Sequence, residues 1–373
     1  MNTPNSLSPP GRETPPARLL DLQDRFRGSL LGLAIGDALG YPTEFVGSLS
    51  AIRARWGEHG VTGFESGGRH PAGTFTDDTQ MSIAVARALV RAGHRDLDTL
   101  MDVLAQEFVA WSRHPSNNRA PGGTCMSGCR SLAAGAAWRD AGVKGSKGCG
   151  AAMRAAPIGL YYHDDTEALV RVAAAQSVLT HSHPTGIASS VAAAAPVAWV
   201  ARGNGFDGIL DFTRDCVAML SDETLRDLGA TPQLIEEAGI GEMLRALDRT
   251  AQSLGVEAAN VCDLLGEAWI GEEAVSTALW CVARAGDDFR QSVLRGANSS
   301  GDSDSIACIA GSIAGALHGV AAIPEEWVRD VEKTELLDRL ARELFAASQD
   351  RSRQDPGDER PIDPDLDFFS ATT

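Results

Sequence analysis

The stretch Gly296-Ala-Asn-Ser-Ser-Gly-Asp-Ser-Asp-Ser-Ile-Ala-Cys-Ile-Ala-Gly-Ser-Ile-Ala-Gly-Ala-Leu-His-Gly319 decides the fold. It starts as a small, polar turn and continues as a helix of alanine, isoleucine and glycine. Asp302, Asp304 and Ser305 lie at the transition, so three oxygen ligands come within four positions. One aspartate at a helix N-terminus is explained by capping and by the helix dipole. Two aspartates followed by a hydroxyl indicate a hard cation such as Mg²⁺ or Ca²⁺, because these ions prefer carboxylate and hydroxyl oxygens.

Glycine recurs every four residues on this helix and on an earlier segment, residues 25–40. The positions are Gly28, Gly32, Gly36 and Gly40 in the earlier segment and Gly311, Gly315 and Gly319 in the later one. Residues four apart share a helix face, and a glycine inside a helix costs about 1 kcal/mol relative to alanine. Two such faces predict that the two helices approach each other closely in the core.

A second group of oxygen ligands precedes a helix predicted over residues 81–91. Thr76, Asp77 and Asp78 lie at its N-terminus, where adjacent aspartates repel each other and are hard to explain by capping alone. Two such groups, each at a helix start, predict a dinuclear metal site. Glu44 follows the end of the first glycine-rich helix, where the helix dipole does not favour an anion. It is either an ordinary surface glutamate or a functional residue.

Two glycine-rich loops are candidates for ligand binding. One spans residues 117–124. The other, residues 145–154, enters a helix as a turn whose N–H groups can cradle a diphosphate. It is not a Walker A motif, because no Gly-Lys-Ser/Thr sequence ends it. His181 closes a helix predicted over residues 166–182 and is either a ligand contact or an ordinary helix-end histidine.

Composition excludes several classes of protein. Lys and Arg number 33 against 50 Asp and Glu, a net charge of −17, which argues against general binding to nucleic acid or to anionic membranes. The 7 cysteines contain no CxxC motif, which is typical of reduced thiols in a cytoplasmic protein. We find no signal-peptide pattern and no uninterrupted apolar run of about 18 residues.

The chain divides by composition into three parts. Residues 1–18 are predicted to be a disordered Pro-rich arm, residues 19–348 one helical domain, and residues 349–373 an acidic, Pro-containing tail. Helical spacing recurs through the middle part, for example over residues 97–113 and 325–347, and few runs alternate with period two. The predicted fold class is all-α: a compact single-domain, multi-helix fold with a binuclear metal cleft.

Four motifs occur in order along the chain. They are Gly32-Leu-Ala-Ile-Gly-Asp-Ala-Leu-Gly-Tyr-Pro-Thr-Glu44, Thr76-Asp-Asp-Thr79, Gly148-Cys-Gly-Ala-Ala-Met-Arg154 and Gly301-Asp-Ser-Asp-Ser305. Together they resemble the ADP-ribosylglycohydrolases, which include ADP-ribosylarginine hydrolases and dinitrogenase-reductase-activating glycohydrolases. The resemblance extends from about residue 25 to residue 320. It implies the same all-α fold and a centre of two Mg²⁺ ions, or Mn²⁺ in their place.

The resemblance also implies roles for individual residues. Six ligands would hold the two ions: Thr76, Asp77 and Asp78 the first, Asp302 and Ser305 the second, and Asp304 both. Glu44 would lie beside the metals as a mobile acid/base residue, which makes Glu44 and Asp304 the catalytic candidates. The ADP-ribose cleft would be lined by Gly122, Gly123, Gly145, Ser146, Lys147, Gly148, Cys149, Gly150 and His181.

Two positions depart from the family pattern. Cys149 stands where family members usually have asparagine, so one polar contact at this position is in doubt. Ser305 replaces the commoner threonine, but serine still offers a hydroxyl oxygen, and we expect the ion to be retained.

The activity implied is Mg²⁺-dependent removal of ADP-ribose from modified protein side chains. The arginine N-glycosidic linkage is the first expectation, with serine-linked ADP-ribose and O-acetyl-ADP-ribose as alternative substrates. The partners would then be an ADP-ribosylated protein and the product ADP-ribose. A second hypothesis is direct binding, in which an immunity protein neutralises an ADP-ribosylating toxin and residues 1–17 occlude the toxin's cleft.

Overall fold

The described part of the chain consists of helices and connecting turns. The structure is a computed structural model that describes residues 21–350, 360 and 362. Within these residues no strand is present, and extended segments meet only at three isolated bridges. The predicted all-α class is therefore confirmed. The predicted arm, residues 1–18, and most of the predicted tail, residues 349–373, lie outside the described residues.

Nineteen α-helices make up the fold over these residues. The first ten are α1 (Leu22–Gly40), α2 (Leu49–Trp56), α3 (Asp77–Ala92), α4 (Leu97–Arg113), α5 (Gly123–Ala133), α6 (Trp138–Ala141), α7 (Ala156–Tyr161), α8 (Thr166–Val178), α9 (Pro184–Ala201) and α10 (Ile209–Ala218). The others are α11 (Asp222–Asp227), α12 (Pro232–Glu237), α13 (Gly241–Ser253), α14 (Cys262–Leu265), α15 (Gly271–Ala285), α16 (Phe289–Ala297), α17 (Ser303–His318), α18 (Glu325–Asp330) and α19 (Thr334–Gln349). Two short 3₁₀-helices are Cys149–Ala151 and Val320–Ala322.

Helices α1 and α17 run antiparallel through the core with their backbones almost touching. A Cβ atom added to Gly28 would lie 2.1 Å from the carbonyl oxygen of Gly315. A Cβ atom added to Gly32 would lie 2.3 Å from the carbonyl oxygen of Gly311. Real Cβ atoms do not approach a backbone oxygen so closely, so only glycine fits on these faces. The predicted contact between the two glycine faces is confirmed.

The same packing brings the end of α1 to the start of α17. A Cβ atom on Gly40 would lie 2.4 Å from the Cα atom of Asp304. Thr43 follows α1, and its hydroxyl lies 2.9 Å from the hydroxyl of Ser303 at the first turn of α17. The glycine faces therefore place Glu44, the next residue along the chain, beside the acidic residues of α17.

Most predicted helices appear close to their expected bounds, and α4 coincides with the prediction over residues 97–113. The prediction of one helix over residues 325–347 is wrong. Helix α18 ends at Asp330, and α19 begins only at Thr334. Between them Lys333 has a φ of +57°, a left-handed conformation that cannot continue a right-handed helix.

Helix α9 is the one helix of the described residues that is long and apolar enough to span a membrane. Its 18 residues have a mean hydropathy of 1.3, and 94% of them are buried inside the fold. A helix that is apolar on all faces and packed on all sides is typical of the core of a large domain.

Candidate active site

Five buried carboxylates converge where α1 ends and where α3 and α17 begin. They are Glu44, Asp77, Asp78, Asp302 and Asp304, here called the carboxylate cluster. Ligand oxygens of three members, Glu44, Asp302 and Asp304, lie within 4.8 Å of one another. The two groups of oxygen ligands that the sequence places far apart therefore form one site.

Thr76 connects the two helix starts. As the N-cap of α3, its hydroxyl oxygen accepts a hydrogen bond from the N–H of Asp78 at 3.4 Å. The same hydroxyl donates to Oδ2 of Asp304, also at 3.4 Å. On the other side of the site, Oδ2 of Asp77 accepts a bond from the N–H of Gly122 at 3.1 Å. Gly122, predicted to contact substrate, thus holds a predicted metal ligand in place.

Burial raises the pKa of every member of the carboxylate cluster, and repulsion from neighbouring carboxylates adds to this for all members except Asp304. Burial, followed by the charges of Asp304 and Asp302, raises the pKa of Glu44 to about 12. Burial is also the main cause that raises the pKa of Asp77, Asp78 and Asp302 well above the usual value. Burial raises the pKa of Asp304 as well, but the hydrogen bonds that it accepts oppose the shift.

Two oxygens of the cluster point into the site without a partner. Oε2 of Glu44 and Oδ2 of Asp78 are buried and form no hydrogen bond within the described residues. A buried anion normally has a hydrogen-bonding or cationic partner. For Asp78, the charges that raise the pKa come from four other carboxylates. Such an oxygen-only, anionic donor set fits hard divalent cations.

An open cleft of about 190 Å³ lies over the carboxylate cluster. The loops that precede α5 and α15 and the 3₁₀-helix at residues 149–151 supply most of its walls. Its lining beyond the cluster consists of Ala120, Gly122, Gly123, Thr124, Cys125, Gly148, Cys149, Gly150, Met153, His181, Trp269 and Ser305. Six of the nine predicted substrate contacts are among these residues, and the remaining three are not.

The structure places Gly145, Ser146 and Lys147 outside the lining of the cleft. Lys147 is held by ion pairs, with Nζ 2.8 Å from a carboxylate oxygen of Glu242 and 2.7 Å from one of Glu272. The side chain is therefore directed at these glutamates. The glycine-rich loop contributes to the cleft only from Gly148 onward.

His181 lies in the cleft wall and is oriented by a buried arginine. Nη2 of Arg154 donates to Oγ1 of Thr180 at 2.8 Å, and the same oxygen lies 2.8 Å from Nδ1 of His181. The threonine hydroxyl also lies 3.5 Å from the carbonyl oxygen of Ser177, to which it can donate, so the contact orients the ring without fixing its tautomer. Burial, followed by the positive charge of Arg154, lowers the pKa of His181 to about 3. A neutral imidazole therefore faces the cleft.

Sequence reasoning missed Asp37, which is fully buried behind the cluster. Its carboxylate accepts hydrogen bonds from the N–H of Thr76 and from the N–H and hydroxyl of Thr79. It thereby anchors the first turn of α3. A signal was available, since Asp37 is the only acidic residue within the glycine-patterned segment 25–40.

Two exposed aromatic rings flank the mouth of the cleft, and their contact was not predictable from sequence. Phe45 is 71% exposed and Trp269 is 41% exposed. Their rings stack with centroids 5.9 Å apart and planes 16° from parallel. The adjoining Ala120 and Ala268 have φ angles of +53° and +66°. Such backbone conformations are costly for alanine and concentrate at functional sites.

Comparison with known proteins identifies the family. The sequence profile of the ADP-ribosylglycohydrolases matches residues 18–354, nearly the whole chain. The chain belongs to the ADP-ribosylglycohydrolase family. The ADP-ribosylarginine hydrolase Tri1 of Pseudomonas putida is 31% identical over 336 residues, which cover 86% of this chain and 78% of that protein. The ADP-ribosylhydrolase ARH3 of Homo sapiens is 27% identical over 352 residues, which cover 87% of this chain and 94% of that protein.

A solved structure of an ADP-ribosylglycohydrolase-related protein complex has the same fold. It superposes with a TM-score of 0.66 at 25% sequence identity, and covers 88% of this chain and 99% of that one. As an ADP-ribosylglycohydrolase, the protein is an enzyme, a glycoside hydrolase that removes ADP-ribose from proteins. The family depends on metal ions, and the carboxylate cluster is the candidate metal centre of the described residues.

Proposed function

We propose that the protein is a Mg²⁺-dependent ADP-ribosylarginine hydrolase. The observation that carries this proposal is the carboxylate cluster, with two unpartnered buried oxygens, at the floor of an open cleft. Among the relatives, one named for arginine-linked ADP-ribose is 31% identical to this chain, against 27% for human ARH3. Arginine is therefore the linkage that we assign first.

The metal centre would use the six ligands expected from sequence. They are Thr76, Asp77, Asp78, Asp302, Asp304 and Ser305. Asp304 is our choice for the ligand shared between two ions, because it lies in hydrogen-bond contact with Thr76 and close to Asp302. Bound Mg²⁺ would supply positive charge that orients ribose hydroxyls and makes water easier to deprotonate. Mn²⁺ would serve the same purpose, since it prefers the same ligands.

The reaction exchanges one bond at the anomeric carbon of the ribose. The C–N bond breaks, and its electron pair remains on the guanidino nitrogen, which takes up a proton. The oxygen of a water molecule forms the new C–O bond and releases a proton. The transition state carries oxocarbenium-like positive charge. The carboxylate cluster beneath the cleft is suited to stabilise that charge, because fixed anions in a buried site act strongly.

Glu44 is our candidate for the acid/base residue. Without metal, burial and its aspartate neighbours raise the pKa of Glu44 to about 12, and Mg²⁺ bound at those aspartates would lower this pKa toward the working range. A protonated carboxylic acid at the cleft can donate to the leaving nitrogen. The aspartates of the cluster are less suited to this role, because ligation occupies their oxygens. Glu44 also lies at the end of α1 in a short turn, where a small movement can bring it toward the substrate.

The walls of the cleft would bind the ADP-ribose part of the substrate. Gly123, Gly148 and Gly150 line the cleft there, and backbone N–H groups of glycine-rich turns bind phosphate oxygens. His181 presents a neutral imidazole, which can form one further hydrogen bond to the substrate. The formal net charge of −17 makes this local set of donors more important, because the chain as a whole repels an anionic ligand.

A reducing compartment such as the cytoplasm would suit the cysteines. All 7 are free thiols in the structure, and five of them are buried. The hypothesis of toxin neutralisation concerns residues 1–17, which lie outside the described residues. It stays a prediction and is not part of this proposal.

A hydrolysis assay with three substrates tests the proposal. ADP-ribosylarginine protein, ADP-ribosylserine peptide and O-acetyl-ADP-ribose are each incubated with the enzyme, with Mg²⁺ or with EDTA. We expect Mg²⁺-dependent release of ADP-ribose, fastest from arginine. Release that is unchanged in EDTA, or in the double variant D77A/D304A, would contradict the metal centre. Faster release from serine or from O-acetyl-ADP-ribose would contradict the assignment of arginine.

A further inference from the structure

Cys149 places a sulfur atom directly against one half of the proposed metal centre. Its Sγ lies 2.8 Å from Oδ2 of Asp302 and 3.6 Å from Oγ of Ser305. The side chain is half-buried and lines the cleft. Cys125 also lines the cleft, but its sulfur instead accepts a long contact of 3.6 Å from Nη1 of Arg154. The two thiols therefore differ in what they face.

A second observation points to a ligand at the same place. Oδ2 of Asp78 is buried without a hydrogen-bond partner, and the Asp78 residue is only 3% exposed. Asp78 lines the same cleft as Cys149. Glu44 also has a buried oxygen without a partner, and one of its carboxylate oxygens lies within 4.8 Å of one of Asp302. The lining of the cleft therefore presents a sulfur beside carboxylates and a hydroxyl. This donor set differs from the oxygen-only set that Mg²⁺ prefers.

We propose that Cys149 Sγ, Asp302 and Ser305 form a binding site for a thiophilic divalent cation such as Zn²⁺, Cd²⁺ or Co²⁺. The inference rests on the proposed metal centre and makes it chemically asymmetric. The Thr76 half offers only oxygen, whereas the Asp302 half offers sulfur as well. Thiolate selects softer ions than carboxylate does, so the second half binds these ions more tightly than it binds Mg²⁺.

The distances suit such a site. Bonds of about 2.3 Å to sulfur and about 2.1 Å to oxygen place neighbouring sulfur and oxygen ligands roughly 3.0–3.6 Å apart, depending on the coordination angle. The 3.6 Å separation of Cys149 Sγ from Ser305 lies within this range, whereas the 2.8 Å separation from Asp302 is shorter, so an ion bound between the two would push the sulfur slightly away from Asp302. Binding requires the thiol to lose its proton to solvent as the sulfur lone pair engages the cation. No electron is transferred.

The competing interpretation is that the thiol stays protonated and donates a hydrogen bond to Asp302. Cys149 would then only orient a ligand, and the sulfur would never touch the ion. The two interpretations differ in a spectroscopic property, because direct bonding of sulfur to Cd²⁺ or Co²⁺ produces a ligand-to-metal charge-transfer band in the ultraviolet. A hydrogen-bonded thiol produces no such band.

The experiment titrates the full-length, metal-free protein with Cd²⁺ and separately with Co²⁺. We expect the charge-transfer band to appear with the first equivalents in wild type and to be absent in C149S. The variants C125S and C262S are matched controls, one with a thiol of the same cleft and one with the other half-buried thiol, and both should keep the band. The affinity for Cd²⁺ should fall at least tenfold in C149S, whereas that for Mg²⁺ should change less than threefold.

Two results would overturn the proposal: no band in wild type, or a band that persists in C149S. If C149S does not fold, as judged by its thermal unfolding, C149A takes its place in the same titration. Failure of the proposed function would look different. A protein that shows the band but releases no ADP-ribose with Mg²⁺ would support the sulfur site and contradict the hydrolase assignment. A protein that releases ADP-ribose with Mg²⁺ but shows no band would support the hydrolase assignment and contradict the sulfur site.

Discussion

Both carboxylate oxygens of Asp37 accept the backbone N–H of Thr76, at 2.9 Å and 3.0 Å. The carboxylate is fully buried and receives two further bonds from Thr79. Asp37 belongs to α1, and Thr76 caps α3, so this contact fixes the position of one helix start relative to the helix that packs on α17. The proposed ligands of the first metal ion depend on it.

The substitution D37N should weaken the metal centre without removing a ligand. The amide keeps one oxygen but directs an NH₂ group at the N–H of Thr76 or Thr79, which leaves a buried donor unpaired. Loss of a residue that supports metal ligands costs about 10–100-fold in metal affinity. We expect a loss of that size in Mg²⁺ affinity, measured by calorimetry. D96N, at an exposed helix cap of α4, should bind Mg²⁺ as wild type does.

The variant G36A should destabilise the whole fold. A Cβ atom on Gly36 would lie 2.0 Å from the carbonyl oxygen of Ala307, so α1 and α17 must separate. Overpacking of this kind costs about 1–3 kcal/mol or more, which we expect as a loss in the free energy of unfolding in urea. The control G255A adds the same methyl group where nothing lies within 4 Å. Equal stability of the two variants would contradict the close packing.

The pairing of α1 with α17 was predictable because glycine recurs every four residues on both helices. Residues four apart on two helices identify the contacting faces with no knowledge of the fold, and the structure confirms both faces. The break between α18 and α19 was not predictable, since apolar residues recur at helical spacing on both sides of it. The break depends on the left-handed conformation of Lys333, and lysine carries no sequence signal for that conformation.

The site was predictable to the extent that its residues are local in sequence. Thr76–Asp78 and Asp302–Ser305 were identified because each segment places two aspartates close together at a helix start. Asp37 was not identified as a site residue, because a single aspartate inside a helix has many ordinary explanations. Its role also depends on a partner 39 residues away. Lys147 was assigned to the cleft from its loop, but Glu242 and Glu272 come from distant segments and direct it elsewhere.

Without bound metal, the stability of the fold should fall as the pH rises. The folded-state pKa values of the cluster are raised, and burial raises that of Asp37 to about 7. The protonated forms therefore stabilise the fold fully below the unfolded pKa of about 4. That stability is lost as the pH rises through the folded values. In EDTA we expect Tm, measured by calorimetry, to fall between about pH 5 and pH 8.

Saturating Mg²⁺ should offset this loss, because cations and protons compete for the same oxygens. The rise in Tm on adding Mg²⁺ should accordingly be larger at pH 8 than at pH 5. The double variant D302N/D304N, with two fewer anions, should show a shallower fall in EDTA and almost no response to Mg²⁺. A metal-induced rise in Tm that is independent of pH would contradict the coupling.

His181 should affect substrate binding more than proton transfer. Its pKa is lowered to about 3, so the ring stays neutral over the working range and contributes no inflection to the pH–rate profile. H181A removes one hydrogen-bonding group from the cleft wall, and a bond of this kind contributes about 1 kcal/mol. We expect KM to rise about fivefold with a smaller change in kcat. The exposed His59, changed to glutamine, serves as the control.

Asp304 should be the least replaceable ligand of α17. It accepts a hydrogen bond from Thr76 and contacts Asp302, and its charge is the largest of those that raise the pKa of Glu44. A ligand shared by both ions affects both when it is lost, whereas Asp302 and Ser305 each serve one. In calorimetric titrations with Mg²⁺, D304N should lose more affinity than D302N, and D302N more than S305A. The loss in D304N should exceed the 10–100-fold typical of a supporting residue.

The same variant provides a check that the loss is not simple unfolding. Replacing a buried carboxylate by an amide of equal size relieves repulsion in the metal-free cluster, so the Tm of D304N in EDTA should be at least that of wild type. The control S312A changes another buried serine of α17, one that bonds only to the carbonyl of Ile309 among the described residues, and should bind Mg²⁺ normally. If S305A proved more damaging than D304N, the shared ligand would have to be sought elsewhere.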